Sequence, residues 1–170
     1  MSSIDIIRLH PDQWEDFKAL RLEALLLEPQ AFGATYADQV LYPDSYWQNR
    51  LARAQDNQND GLFFARSGDG LVGMAGWFRE PGATRAMVVA MYVQPAARGQ
   101  GVASQLLQAV LDDIQQHADI EIAFLSVNVD QEPAKRLYQR FGFSVCNEVV
   151  IPLGNGQNLP VYEMERPIDR

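Results

Sequence analysis

The pattern of apolar and polar positions predicts a strand, a tight loop and a helix near the middle of the chain. Residues 87–93 form an apolar run of strand length, and Pro95 ends it. Across residues 102–114, apolar positions recur every three to four residues, which is typical of a helix with one buried face. Gly99 and Gly101 lie in the loop between the two. We expect the rest of the fold to be arranged around this unit.

The same patterns predict strands and helices over the remainder of the chain. The first helix begins after Pro11, with Asp12 as its cap and Glu15 in its first turn, and it ends before Pro29. The predicted strands cover residues 4–9, 61–66, 71–80, 84–93, 121–128, 143–151 and 159–165. The predicted helices cover residues 12–27, 45–54, 102–118 and 133–141, and Gly142 caps the last one. Turns at residues 67–70, 81–82 and 154–156 join hairpins, and residues 55–60 form an exposed loop.

The order of these elements predicts a mostly antiparallel sheet with one parallel pair. Residues 61–93 form three antiparallel strands because only tight turns join them. The helix at 102–118 instead crosses over to the strand at 121–128, so this strand runs parallel to the one before the helix. The predicted fold class is α/β with a mixed sheet flanked by helices, in one domain over residues 1–170. A doubly wound dinucleotide-binding fold needs alternating strands and helices and is a remote alternative.

The loop before the central helix has the composition of an anion-binding turn. Free backbone N–H groups at a helix N-terminus favour a phosphate, and Gly99 and Gly101 let the backbone approach it. Arg98 can add a charge-assisted contact. The chain has no Gly-Lys pair, which a Walker loop requires, and Ser104 replaces the third glycine of the dinucleotide fingerprint. On these residues alone, a plain turn from strand to helix is the alternative.

Two motifs resemble those of the GNAT superfamily of acetyl-CoA-dependent N-acetyltransferases. Residues 98–103 match the pattern Q/R-x-x-G-x-G/A, and residues 134–143 match the pattern A-x-x-L-Y-x-x-x-G-F. Both lie within residues 84–146, and the flanking strands are compatible with the same fold. The resemblance implies a GNAT fold and acetyl-CoA as the cosubstrate, with the CoA pyrophosphate held by the glycine loop.

The resemblance also implies which residues bind acetyl-CoA. The strand before the loop is expected to pair with the pantetheine arm through its backbone, in a gap between the two parallel strands. Gln131 stands where family members usually have Asn, and it keeps an amide with one more rotatable bond. The basic residues of the following helix are either further phosphate contacts or simply solvated. The residues expected to bind the cofactor are Met91, Tyr92, Val93, Arg98, Gly99, Gln100, Gly101, Val102, Ala103, Ser104, Gln131, Ala134 and Tyr138.

Tyr138 is the expected catalytic residue. In the family, a tyrosine at this place lies close to the CoA sulfur, and a phenol can donate its proton to a departing thiolate. Its spacing also fits a packed core position. The general base is open, since Met87 stands where some members carry a glutamate. The alternatives are Glu80, Glu28, Asp38, a bound water, or an amine that arrives neutral.

Composition narrows the class of protein. The chain has 170 residues, of which 47% are apolar and 21% charged, as in an ordinary globular domain. A net charge of -8 argues against a nucleic-acid partner and suits a cationic amine acceptor. The chain has a single cysteine, Cys146, so it forms no internal disulfide, and this favours a reducing, cytoplasmic location. Cys146 itself is expected in the core or on a strand. We expect no signal peptide, membrane span or metal site.

Taken together, the patterns predict an enzyme that transfers the acetyl group of acetyl-CoA to a primary amine of a small molecule or peptide by direct attack. The alternative is a GNAT-like module that binds acetyl-CoA as a sensor without turnover. This alternative stands because the chain has Met87 where some family members carry a glutamate. The acceptor is not identified because its wall lies in residues 28–60, where the pattern is least regular. The sequence does not identify the oligomeric state; dimers are frequent in the family, and the C-terminal hairpin is the candidate contact of a homodimer.

Overall fold

A seven-stranded sheet forms the centre of the structure, a computed structural model that describes residues 3–68, 70–154 and 156–170. The strands are β1 (Ile4–Ile7), β2 (Asp60–Ser67), β3 (Gly70–Phe78), β4 (Arg85–Val93), β5 (Ile122–Asn128), β6 (Ser144–Leu153) and β7 (Gln157–Pro167). The helices are α1 (Trp14–Leu27), α2 (Tyr36–Gln39), α3 (Asp44–Asp56), α4 (Val102–Gln115) and α5 (Glu132–Arg140). The four predicted helices are present, and the sequence pattern did not predict the short α2.

The strand order confirms the predicted topology. Neighbours follow the order β1-β2-β3-β4-β5-β7-β6, and β4 and β5 form the parallel pair. Helix α4 makes the crossover between these two strands, as expected for a βαβ unit. Every other pair in the described ranges is antiparallel, so the doubly wound alternative is wrong.

The sheet separates two hydrophobic cores. On one face, α4 and α5 pack over Trp77, Val88 and other strand residues. On the opposite face, α1 and α3 pack over Phe64 and Tyr92. Because successive residues of a strand point to opposite faces, a strand between two cores is apolar at almost every position. This is why residues 87–93 form an unbroken apolar run.

The predicted start of the first helix is wrong in one detail. His10, not Asp12, is the capping residue, because His10 Nδ1 accepts a hydrogen bond from the Asp12 N–H at 3.2 Å. The Gln13 side chain completes the cap by accepting from the His10 N–H at 3.0 Å. Pro11 fits the first position of this 3-10 turn, which leads directly into α1. The predicted exposed loop at 55–60 is also shorter than expected, because α3 and β2 extend into it.

The predicted end of the last helix is confirmed. Gly142 has a φ of 89°, a left-handed conformation that glycine adopts easily. Its N–H donates to the Gln139 carbonyl at 3.0 Å, and the Phe143 N–H donates to the Tyr138 carbonyl at 3.0 Å. The rings of Tyr138 and Phe143 pack edge to face, with centroids 6.0 Å apart. Both hydrogen bonds and this contact define a Schellman cap, which fixes the last turn of α5 and its tyrosine.

The hairpin predictions hold where the structure describes the chain. Strands β2 and β3 pair as predicted, as do β6 and β7. Asp69 and Asn155, in the turns of these hairpins, lie outside the described residues. Cys146 lies on β6, and its side chain is exposed rather than in the core.

Asp113, a buried carboxylate on α4, hydrogen-bonds across the first core. It accepts from the Trp77 indole N–H at 2.7 Å and from the Arg8 guanidinium at 2.9 Å. A Cβ atom at Gly61 would collide with both the Asp113 carboxylate and the Trp77 indole, so only glycine fits where β2 passes them. These contacts hold α4, and with it the glycine loop, in a fixed position against the sheet.

We expect Asp113→Ala to lower the free energy of unfolding by about 2 to 3 kcal/mol, because the Trp77 N–H loses its acceptor inside the core. Asp112 is exposed on the same helix and provides the matched control. Asp112→Ala should change the free energy by less than about 0.5 kcal/mol. Urea unfolding followed by circular dichroism measures both values. Equal losses in the two variants would contradict a structural role for the buried carboxylate.

Candidate active site

Strands β4 and β5 separate partway along their length. Their pairing covers only three positions, from Arg85 opposite Ile122 to Met87 opposite Phe124. Both strands continue beyond this point, β4 to Val93 and β5 to Asn128, without pairing to each other. The gap that the resemblance implies is therefore present, and the sequence pattern had not shown it.

A β-bulge at Ala90 accompanies this separation. Between the pairs Gly76–Val89 and Met74–Tyr92, β3 advances by two residues and β4 by three. Ala90 has a φ of 61°, a left-handed conformation that is costly for a residue with a Cβ atom. Extra residues of this kind bend a strand and end its regular pairing. Beyond the bulge, Met91 and Val93 point to the same core as Val88 does before it.

The backbone of β4 beyond the bulge has one free edge. The Gln94 N–H donates to the Val72 carbonyl of β3 at 2.8 Å. Because backbone groups alternate in direction along a strand, those of Met91 and Val93 point the other way, into the gap. The Val93 carbonyl accepts from Arg98 Nε at 3.0 Å there, which is in agreement with this direction. A ligand with amide groups could pair with this edge as an additional strand would.

The glycine loop places the start of α4 at one end of the gap. Gly99 and Gly101 have φ values of 77° and 80°, so both positions require glycine. Gly101 is the residue before α4, and no side chain caps the helix there. The first N–H groups of α4 are therefore available to an anion, and the helix dipole favours one. A Cβ atom on either glycine would lie in open space, where the anion would be bound.

Arg98, predicted to make a charge-assisted contact to the phosphate, lines the cleft and already has two partners within the protein. Its guanidinium pairs with the Glu28 carboxylate at 2.5 Å, besides its bond to the Val93 carbonyl. These contacts connect the end of α1 to the end of β4. Arg98 therefore shapes the loop in this structure, and its charge is already balanced by Glu28.

Tyr138 lies on α5 with its side chain almost fully buried between the helix and the sheet. Among the described residues, none hydrogen-bonds to its hydroxyl group, and the residue lines the gap. Burial raises the pKa of the Tyr138 phenol to about 12, because the negative phenolate is poorly solvated there. The group is thus a fully protonated phenol at neutral pH, as a general acid must be.

The gap opens into a cleft of about 1330 Å³ that brings together nearly all of the predicted cofactor residues. Gln100 is the exception, since its side chain is exposed and donates to the Ala96 carbonyl at 3.4 Å. The predicted residues that line the cleft are Met91, Tyr92, Val93, Arg98, Gly99, Gly101, Val102, Ala103, Ser104, Gln131, Ala134 and Tyr138.

Tyr92 lines the cleft, but its hydroxyl group has a partner elsewhere. It donates to Glu23 Oε2 of α1 at 2.7 Å, and the Gln94 side chain donates to the other oxygen of the same carboxylate at 3.1 Å. Burial raises the pKa of the Tyr92 phenol, and the hydrogen bond to Glu23 adds to this. These contacts dock α1 on β4 and hold this part of the cleft wall in place.

The candidate bases are not well placed for catalysis. Glu80 and Asp38 are exposed, and neither lines the cleft. Glu28 does line it, but Arg98 holds its carboxylate. Met87 lines the cleft and cannot accept a proton. Asp60, which the sequence analysis missed, also lines the cleft and pairs with two arginines.

Three further residues of the cleft were not assigned from the sequence. Arg136 and Arg140 of α5 line it, and the basic character of this helix was the available signal. Asn128, at the end of β5, accepts from the Asp130 N–H at 2.9 Å and donates to the Gln30 carbonyl at 3.2 Å. It thereby positions the turn before α5, and a polar residue ending an apolar strand was its signal.

The described ranges contain no group of three His, Cys, Asp or Glu side chains that could hold a metal ion. In the same ranges, each helix is too short or too polar to span a membrane.

Comparison with known families decides the identity of the chain. The model of the acetyltransferase (GNAT) family matches residues 10–143. The chain belongs to the GNAT acetyltransferase family. The match includes the bulged strand, the glycine loop and Tyr138, so it covers most of the cleft just described. Among curated proteins, none matches the chain in sequence.

Solved structures of GNAT proteins share the whole fold. A GNAT-family acetyltransferase from Streptococcus pneumoniae aligns with a TM-score of 0.86 at 17% identity, over 98% of this chain and 100% of its own. A putative acetyltransferase from Salmonella typhimurium, solved with its cofactor acetyl-CoA, gives 0.81 at 15% identity over 99% and 96%. A spermidine N-acetyltransferase from Vibrio cholerae, in complex with CoA and spermine, gives 0.76 at 15% identity over 97% and 95%. At these identities, the likeness concerns the fold.

We expect the Tyr138 phenol to ionise near pH 12, whereas tyrosines of the urea-unfolded chain should ionise near about pH 10. Since the unfolded state loses its proton first, stability should fall as the pH rises from about 10 to 12. The difference in tyrosinate absorbance between the wild type and Tyr138→Phe, read immediately after a pH jump, isolates this group. A midpoint near that of the unfolded chain would contradict the buried position.

Proposed function

We propose that this GNAT protein transfers the acetyl group of acetyl-CoA to a primary amine by direct attack, with Tyr138 as the general acid. The observation that carries the proposal is the convergence of three features on one cleft. These are the free edge of β4, the uncapped start of α4 and the buried phenol of Tyr138. Each suits a different part of acetyl-CoA.

The cofactor fits the cleft by simple complementarity. The N–H groups at the start of α4 and the loop at Gly99 and Gly101 suit the pyrophosphate. Arg136 and Arg140 add positive charge to the lining of the cleft, and neither makes a salt bridge within the described residues. The amide groups of a pantetheine arm would pair with the free edge of β4 at Val93. An acetyl thioester at the inner end of this arm would then lie near Tyr138.

The protein would assist the reaction by proton transfer and by orientation. The amine nitrogen attacks the thioester carbonyl carbon, the carbon–sulfur bond breaks, and the Tyr138 hydroxyl donates its proton to the sulfur that leaves. The nitrogen loses one proton to water as the amide forms, and the Tyr138 phenolate takes a proton back from water, so the phenol is restored. Burial disfavours negative charge on the thiolate as much as on the phenolate, so a proton delivered at this point lowers the barrier. The carboxylates in the cleft, Glu28 and Asp60, are paired with arginines. We therefore infer that the amine arrives neutral or loses its proton to water.

The proposal extends to two matters that the geometry leaves to experiment. A homodimer through the C-terminal hairpin remains a prediction, and β6 suits it as an edge strand with exposed Val145 and Val150. A cytoplasmic location also remains a prediction from the lone cysteine. The sensor alternative shares the cofactor site and differs only in the absence of turnover.

We expect Tyr138→Phe to lower kcat by about 100-fold or more while the affinity for acetyl-CoA stays unchanged, because the ring still packs and only the proton donor is lost. Thiol release with a panel of amines measures the rate, and calorimetric titration measures the affinity. Tyr162→Phe is the control, since Tyr162 lies on β7 and is not part of the cleft lining.

An equal rate in Tyr138→Phe and the wild type would contradict the acid role. Binding of acetyl-CoA without thiol release for any amine of the panel would instead favour the sensor. Absence of acetyl-CoA binding in the wild type would contradict the function as a whole.

A further inference from the structure

One end of the cleft contains more arginines than carboxylates. Arg21 of α1 and two arginines of α3, Arg50 and Arg53, line the wall where the acceptor amine would enter. Asp60, at the start of β2, pairs with both arginines of α3, at 3.5 Å from Arg50 Nη1 and 3.7 Å from Arg53 Nε. Two guanidinium groups thus share one carboxylate.

Arg21 has no carboxylate partner among the described residues. Its Nε donates to the Gln39 side chain at 3.2 Å, and its guanidinium lies over the Phe32 ring, 5.1 Å from the centroid. Burial lowers the pKa of the Arg21 guanidinium, and the positive charge of Arg50 adds to this effect. Both guanidinium groups belong to residues that line the same cleft.

The pair of Arg50 and Asp60 is also incompletely satisfied. The Arg50 side chain is 14% exposed, and its Nη1 is buried without a hydrogen bond in the described part of the chain. Asp60 Oδ1 is likewise buried without a hydrogen bond. Guanidinium groups are costly to bury unless an anion receives their N–H groups. Asp60 Oδ1 needs only a hydrogen-bond donor such as water, whereas two arginines share this one carboxylate, so the charge that the wall lacks is negative.

The same charges disfavour a polycationic acceptor. Arg21, Arg50 and Arg53 together carry two more positive charges than Asp60 balances. Glu28, the other carboxylate of the cleft, is occupied by Arg98. A polyamine would meet excess positive charge here and find no free carboxylate among the described residues, although the protein as a whole is acidic.

We propose that the acceptor is an amine whose molecule also carries a small oxyanion, and that Arg21 and Arg50 bind this oxyanion. A carboxylate, as in an amino acid, and a phosphonate share the chemistry that these guanidinium groups recognise. The apolar residues beside them, Phe17, Trp47 and Leu62, would contact the uncharged part of the acceptor. This inference rests on the proposed function and names its substrate class.

The direct test compares acetylated products that differ only in the oxyanion, bound to the protein loaded with CoA. N-acetyl derivatives of leucine, methionine and phenylalanine are titrated calorimetrically against those of the corresponding decarboxylated amines and aminophosphonates. We expect the carboxylates or the phosphonates to bind at least about tenfold more tightly than the neutral amides. Whichever of the two anions binds more tightly identifies the oxyanion.

Matched variants assign the preference to the two arginines. Arg21→Gln and Arg50→Gln should each reduce the preference to less than about threefold, since one guanidinium is lost, while acetyl-CoA affinity is unchanged. Arg85→Gln is the control, because Arg85 pairs with Glu165 and is not part of the cleft lining.

Equal affinity for the charged and the neutral compounds would overturn the inference. So would the absence of binding by every charged compound. Tighter binding of N-acetylspermidine than of the carboxylates and phosphonates would overturn it as well. A preference that persists in both arginine variants would also overturn it. Each of these results with normal acetyl-CoA binding contradicts the acceptor class alone. Failure of the wild type to bind acetyl-CoA would instead contradict the proposed function.

Discussion

The interrupted pairing of β4 and β5 is the constraint on which the rest of the structure depends. Backbone N–H and C=O groups inside a fold need partners, and a central strand normally finds them on both sides. Beyond Met87, β4 has no partner on its β5 side, and the bulge at Ala90 lies in this unpaired stretch. This arrangement requires Ala90 to adopt a left-handed backbone conformation and leaves one edge of β4 unpaired in the middle of the sheet. The two cores on either face hold this arrangement together.

The free edge becomes useful because other elements end at the same place. The Asp113 network holds α4 against the sheet, so its uncapped start faces the gap. The Schellman cap at Gly142 fixes the last turn of α5 and so places Tyr138 from the opposite side. The contact of Arg98 with Glu28 closes the loop onto α1. The contacts at the ends of these few elements therefore bring the elements together around one cleft.

Charge is unevenly distributed around this cleft. The chain has a net charge of -8, yet the lining includes arginines from α1, α3 and α5. The protein is acidic as a whole, but arginines line its cleft. This distribution favours the binding of anionic ligands in the cleft and disfavours it on the rest of the surface. The net charge alone suggested a cationic acceptor, and the positions of the arginines point the other way.

Sequence patterns predicted the parallel strand pair in a mostly antiparallel sheet and the glycine loop, since each depends on local composition or spacing, whereas the expectation for Tyr138 came from the family resemblance. They could not predict the bulge, because β4 is apolar on both faces. No polar residue therefore marks the position where the alternation of side chains between the two faces shifts by one residue. The pairs that shape the cleft are also remote in sequence: Arg98 and Glu28 are 70 residues apart. The His10 cap was missed because Asp12 is the more usual capping residue. Arg21 and Arg50 lie on separate helices in the least regular region, so nothing linked them before the fold was known.

Amide hydrogen exchange, followed by nuclear magnetic resonance with and without acetyl-CoA, tests the central claim most directly. If the free edge of β4 receives the cofactor, exchange of the Val93 amide should slow by about tenfold or more on binding. The Gln94 amide already bonds to Val72, so it should change little and serves as the internal reference. Slower exchange at Val93 and at the start of α4 would support the account. Binding that leaves the Val93 amide unchanged would contradict it.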